Sequence, residues 1–176
     1  MHYGVLVLIE PESDMTREHI EALVEHALED FRDAEWDWYQ IGGRWTGHFD
    51  GYKPESDPRN VEVCDLCGGT GDRATFRGEP KEHQHETGCN GCLGKGTRAK
   101  WPTQWTKHDG DIRPVELLNE GDLDIYAICE NGAWYGGEYY VPWKEGGKFI
   151  KREMPPLEWL KKERAGYLAV VVDCHN

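Results

Sequence analysis

The sequence predicts an α+β protein, a sheet of order β-α-β-β-α-β with a cysteine-rich excursion between its first helix and second strand. Three observations predict it. Two strongly apolar runs, YGVLVLI and YLAVVV, lie near opposite ends of the 176-residue chain and read as buried strands. An amphipathic stripe follows the first run, and a shorter helical segment precedes the last. Between them, two near-copies of one cysteine pattern stand ahead of a hairpin signal.

The first strand covers residues 3–10, YGVLVLIE, and stops at Pro11. In SDMTREHIEALVEHALEDF, the residues Ile20, Leu23, Val24, Ala27, Leu28 and Phe31 recur at helical spacing and make one stripe. Ser13, Asp14 or Thr16 supplies its N-cap. LDIYAICENGAWYGG reads as a hairpin turning at Asn131-Gly132, a pair that tolerates the positive φ of a tight turn. PLEWLKKERAG is a short helix starting near Pro155-Pro156 and stopped at Gly166, and YLAVVVD is the last strand. This order is the ferredoxin-like split arrangement. It assigns residues 1–60 and 100–176 to the α+β core and 61–99 to the insertion. A structureless connection of that length would count against the order, so the insertion must supply structure of its own.

Four of the six cysteines form two C-x-x-C pairs, Cys64/Cys67 in CDLCGGTGD and Cys89/Cys92 in CNGCLGKGT, separated by 21 residues. Zinc takes four thiolates in a tetrahedron, and C-x-x-C lets one turn supply two of them at about 2.3 Å. Gly69, Gly71, Gly94 and Gly96 admit positive φ and direct backbone N–H groups toward the sulfurs. The expectation is one structural zinc per chain on Cys64, Cys67, Cys89 and Cys92. The competing reading, redox dithiols, gives no reason for a matched second pair. The remaining Cys129 and Cys174 read as buried thiols.

The C-x-x-C-x-G-x-G pattern resembles the zinc domain of the J-domain co-chaperones, over Cys64–Gly71 and Cys89–Gly96. That family carries four such repeats, two zinc ions and a His-Pro-Asp tripeptide. Here there are two repeats and no such tripeptide, so the resemblance implies one zinc site and does not extend to the chaperone machinery. Between the pairs, RATFRGEPKEHQHETG reads as a hairpin or loop held at its base by the metal. His83 and His85 in it read as exposed loop histidines, with replacement of a cysteine ligand or binding of a second ion as the alternatives.

EWDWYQIGGRWTGHF, Glu35 to Phe49, is the second unusual segment, crowded with Trp36, Trp38, Tyr39, Trp45, His48 and Phe49. Gly42-Gly43 ahead of Arg44 permits a tight turn and close backbone approach. Flat rings beside a guanidinium and exposed N–H groups suit a nucleobase and a phosphate. The segment therefore reads either as core packing or as a pocket for a small anionic, nucleotide-like ligand, lined by Trp36, Trp38, Tyr39, Gly42, Gly43, Arg44 and Trp45. Arg44 has Asp37 and Asp50 as candidate ion-pair partners. The D-W-Y-x-x-G-G-R-W core, Asp37 to Trp45, resembles a stretch in small bacteriophage proteins. That likeness implies a phage accessory role, against a host defence or on host metabolism, and assigns no site residue.

Antiparallel pairing of the first and last strands would bring His2 toward Asp173, Cys174 and His175. His2, Asp173 and His175 would then be polar strand ends meeting solvent, or a group fit for metal or acid–base chemistry.

The net charge of −13 makes bulk binding to a phosphate backbone a poor reading, because such binding needs clustered Lys and Arg. Residues 1–60 hold 14 acids against five bases, which gives a solubilising surface or an acidic face offered to a basic host protein. Both apolar runs are far too short to cross a bilayer, and no signal peptide is recognisable, so the expected location is cytoplasmic. No phosphate-binding glycine loop, G-x-S-x-G, H-E-x-x-H or zinc-deaminase signature is present. The sequence thus points to a non-catalytic zinc-stabilised binding protein, with an acidic protein-interaction module or a metal-dependent enzyme on His2/Asp173/His175 as alternatives. A homo-oligomer is the common default for its assembly.

Overall fold

The structure is a computed structural model that describes residues 1–73, 88–130, 132–137, 139–141, 148–150 and 152–176. Asn131 of the expected turn, His83, His85 and Trp143 lie outside the described residues. In chain order the elements are β1 (His2–Ile9), α1 (Arg17–Glu29), β2 (Trp38–Ile41), β3 (Val61–Val63), β4 (Thr97–Ala99) and β5 (Ile112–Pro114). They continue with β6 (Ala127–Glu130), β7 (Ala133–Tyr135), β8 (Tyr139–Val141), β9 (Lys148–Ile150), α2 (Leu157–Glu163) and β10 (Leu168–His175). Short 3-10 turns fill many of the connections. The chain divides into two units: Met1–Tyr52 with Lys107–Asn176, and Lys53–Thr106.

In the first unit β1 and β10 are antiparallel neighbours over their full length, from His2↔His175 to Ile9↔Leu168. The sheet runs β2-β10-β1-β6-β7, and β5 also pairs with β10. β2 takes Val172 to His175 of β10, while β5 takes Leu168 to Val170. A separate antiparallel pair joins β8 to β9.

The finer, ferredoxin-like order is not what forms. β6 lies directly beside β1 and parallel to it, with β7 outside, whereas the split arrangement would place the hairpin's second strand between them. Burial explains the choice. Ala127, Ile128 and Cys129 of β6 are buried on both faces, as an inner strand requires, whereas β7 buries only Trp134 and suits an edge.

The two apolar runs are continuous because both faces of the sheet are covered. Val5, Val7 and Ile9 with Val170, Val172 and Cys174 pack under Ile20, Val24, Ala27 and Leu28 of α1. Leu6, Leu8, Ala169 and Val171 face the opposite side, against Phe49, Val115, Leu118 and Leu157 and Leu160 of α2. Thr16 caps α1, its side chain accepting from the His19 N–H.

In the second unit β3 and β4 pair antiparallel, Val61↔Ala99 to Val63↔Thr97. Asn60, fully buried beside this pair, donates its side-chain amide to the Pro54 carbonyl and accepts from the Thr106 N–H. It thereby ties together the two ends of the unit.

Candidate metal centre

Each C-x-x-C pair folds into the same tight turn. The Cys64 carbonyl accepts from the Gly69 N–H at 3.3 Å, and the Cys89 carbonyl accepts from the Gly94 N–H at 3.2 Å. The two turns then bond reciprocally. The Cys64 N–H donates to the Gly96 carbonyl at 2.9 Å, and the Cys89 N–H donates to the Gly71 carbonyl at 2.8 Å. Gly71 and Gly96 make this approach sterically feasible. Both have positive φ, and a Cβ on either would lie 2.3 Å from a carbonyl oxygen of the other turn.

The result is a buried four-sulfur cluster. Cys64, Cys67, Cys89 and Cys92 place their Sγ atoms within 4.8 Å of one another. Sγ of Cys64 lies 3.8 Å from that of Cys89, and Sγ of Cys67 lies 3.7 Å from that of Cys92. A tetrahedron with metal–sulfur bonds of about 2.3 Å has edges of about 3.8 Å. Disulfide sulfurs would instead be about 2.05 Å apart. The arrangement fits a metal ion, and among the described residues it is the one group of three or more ligating side chains close enough to share one.

Hydrogen bonding inside the cluster is uneven. Burial, with the adjacent Cys89 and Cys67, pushes the Cys64 thiol up. Against the same burial, the backbone N–H groups of Gly71 and Gly69 and the Cys92 thiol pull Cys67 down. The Gly96 N–H also points at Sγ of Cys92, at 3.2 Å. Arg98, bonded to Glu62 at 2.9 Å and to Asp65 at 3.1 Å, sets a cation near the site. Cys129 and Cys174 are buried single thiols pushed up by burial, with Cys129 donating to the Ala27 carbonyl.

The seven residues of the expected aromatic pocket do not converge on one face. Trp36 is core under α1, its indole N–H donating to the Leu28 carbonyl at 2.9 Å, and Tyr39 packs edge-on against it. Trp45 packs on the opposite face of the sheet, with the α2 cluster. Gly42 and Gly43 are buried in the turn between, and a Cβ on Gly43 would lie 2.4 Å from Cβ of Asp173. That leaves Trp38 and Arg44 open to solvent, 37% and 45% exposed. Arg44 meets neither Asp37 nor Asp50: its N–H donates to Oδ2 of Asp173 at 3.0 Å, and Nε stands 3.9 Å from the same oxygen.

His2, Asp173 and His175 do come together. Asp173 is fully buried and accepts from Nδ1 of His2 at 2.8 Å. Nδ1 of His175 is held by Asp37 at 2.9 Å, and the two imidazole centres are 4.9 Å apart. β2 was the missing partner in the sequence reading, since it brings Asp37 and Trp38 to this strand end.

Neither protein families, nor curated proteins, nor solved structures give a match to this chain. Its chemistry therefore has to be read from its own side chains.

Two further features escaped the sequence reading. Asp111 is fully buried and accepts from the Thr46 hydroxyl, the Gly47 and His108 N–H groups and Arg17. It holds the glycine turn after β2 in place. A groove of about 570 Å³ opens at the carboxyl ends of β1 and β6, lined by Leu8, Glu10, Leu23, His26, Glu130 and Arg164 among others. Its guanidinium is engaged: Arg164 grips Glu130 with two bonds of 2.5 and 2.8 Å. No helix among the described residues is long and apolar enough to cross a membrane.

Proposed function

We propose that the protein is a non-catalytic binding protein whose second unit is folded around one structural zinc ion. The carrying observation is the closed donor set: four buried sulfurs within 4.8 Å of one another, two pairs of them at the 3.7–3.8 Å of a tetrahedral edge, with no side left for a substrate. A catalytic zinc keeps a position open, whereas four thiolates fill the shell. Native mass spectrometry compared with the denatured mass reports metal count, identity, subunit number and any retained small molecule together. One zinc per chain, lost on Cys67→Ser, is expected; a metal-free folded protein would overturn the reading.

For the ligand, the half-exposed Arg44 and Trp38 support a small anion bearing a flat ring. Calorimetry with nucleotides should give binding that Arg44→Ala removes while the thermal midpoint holds. The likeness of Asp37–Trp45 to bacteriophage proteins supports an accessory role in infection, with action against a host defence as one form. A protein partner is the second reading, supported by Glu18, Glu25 and Glu29, which stand exposed along α1. A complex captured on that face would weaken steeply with salt.

A further inference from the structure

We propose that His2 and His175 form a second, open metal site for a divalent first-row ion of the zinc, cobalt or nickel type, bound through their two Nε2 atoms. The inference stands on this chain's own donors and does not depend on the anionic-ligand reading. His2 and His175 are directly paired residues of adjacent antiparallel strands, so both rings rise from one face at one end of the sheet.

Each ring is already oriented. A carboxylate only accepts, so Asp173 and Asp37 each take an Nδ1–H and leave the lone pair on Nε2. That is the tautomer a metal needs, and a carboxylate behind the imidazole is the usual support of a metal-bound histidine. No hydrogen bond among the described residues occupies either Nε2, and the two side chains are 31% and 41% exposed.

The spacing suits one ion. Two imidazoles bound at about 2.1 Å, with a ligand–metal–ligand angle of roughly 90–110°, have ring centres about 4.5–5.2 Å apart. The observed separation is 4.9 Å. Two carboxylates, Asp173 and Asp37, stand behind the pair. No third protein ligand joins the pair among the described residues, so water or an anion completes the shell. Trp38, its ring 6.0 Å from that of His2, borders the open side.

The test is calorimetric titration of nickel(II) into the full chain with its thiolates zinc-loaded, at neutral pH. One further ion per chain is expected. His2→Ala and His175→Ala should each weaken it at least tenfold, and Asp37→Ala, which removes only the support, about tenfold. Zinc content should stay as in the parent in all three, and so should the thermal midpoint of the His175 and Asp37 variants, whose side chains are exposed; His2→Ala leaves the buried Asp173 without its imidazole and lowers the midpoint. Imidazole 15N spectra give a check free of substitution: two unprotonated Nε2 resonances should move when the ion is added. Absence of a further ion, or binding that both histidine variants leave unchanged, overturns the proposal. Loss of nucleotide binding in Arg44→Ala with nickel binding intact would separate this site from the anion reading.

Discussion

The two units are held together by opposite means. In the first, Val, Leu, Ile, Phe and Trp side chains fill both faces of a central sheet, each burial worth about 1.5–3 kcal/mol. In the second, the buried cluster consists of four cysteines, with Leu66 packed beside it. Val63, Leu93 and Trp101 of that unit are exposed instead. With so little apolar interior among its described residues, this unit has little to offset its ordering entropy, and a metal cross-link is the means that its side chains offer. The difference teaches that a chain can delegate folding to packing in one place and to coordination in another.

Metal removal should break the comparison most sharply. Structural zinc contributes on the order of 10–16 kcal/mol at neutral pH. Chelation or Cys67→Ser should abolish hydrogen-exchange protection of β3 and β4 while β1 and β10 remain protected. Acid acts in the same direction. Protons compete with the metal for thiolate, so zinc affinity should fall as pH is lowered, and competition with a coloured chelator measures it.

Next in size is Asp111→Ala. It strands the donors of Thr46, Gly47, His108 and Arg17, at a cost of about 3–5 kcal/mol in denaturant unfolding of the first unit. The zinc content should not change. A loss of zinc would show that the two units are not independent.

Gly96→Ala should act on the other side of the comparison. A methyl 2.3 Å from the Gly69 carbonyl, on a residue with positive φ, costs roughly 1–3 kcal/mol. The loss should appear as zinc affinity in chelator competition, with β10 protection unchanged.

The smallest effect belongs to Glu130. Arg164 holds its carboxyl below the ordinary range, with Tyr135 donating as well. The folded value lies below the unfolded one, so this stabilisation is complete above the ordinary carboxyl pKa and fades as pH falls through the folded value. Glu130→Gln should flatten the acid limb of the stability curve by under about 1 kcal/mol, read from denaturation midpoints between pH 5 and pH 3.

Some of this is legible in the sequence. C-x-x-C-x-G-x-G carries its own geometry, because the turn, the glycine φ values and both sulfurs lie within eight residues. The stripe from Ile20 to Phe31 and the strands at each end are likewise local patterns, and antiparallel pairing of those strands brought His2 to Asp173 as expected. The aromatic segment was harder. β2 alternates between faces, so residues adjacent in sequence, Trp38 and Tyr39, part company across the sheet.

By itself, the sequence determined the four-cysteine cluster, both long helical and strand patterns, and which side chains wanted burial, since each depends on neighbours a few residues away. Only the tertiary structure decided that β6 rather than β7 lies beside β1, that β2 and β5 share the edge of β10, and that Asp37 and Asp173 each orient a histidine. A period of two tells which face a residue takes but not which strand lies next to it. That choice follows from how the whole chain covers both faces of the sheet, and no local spacing records it.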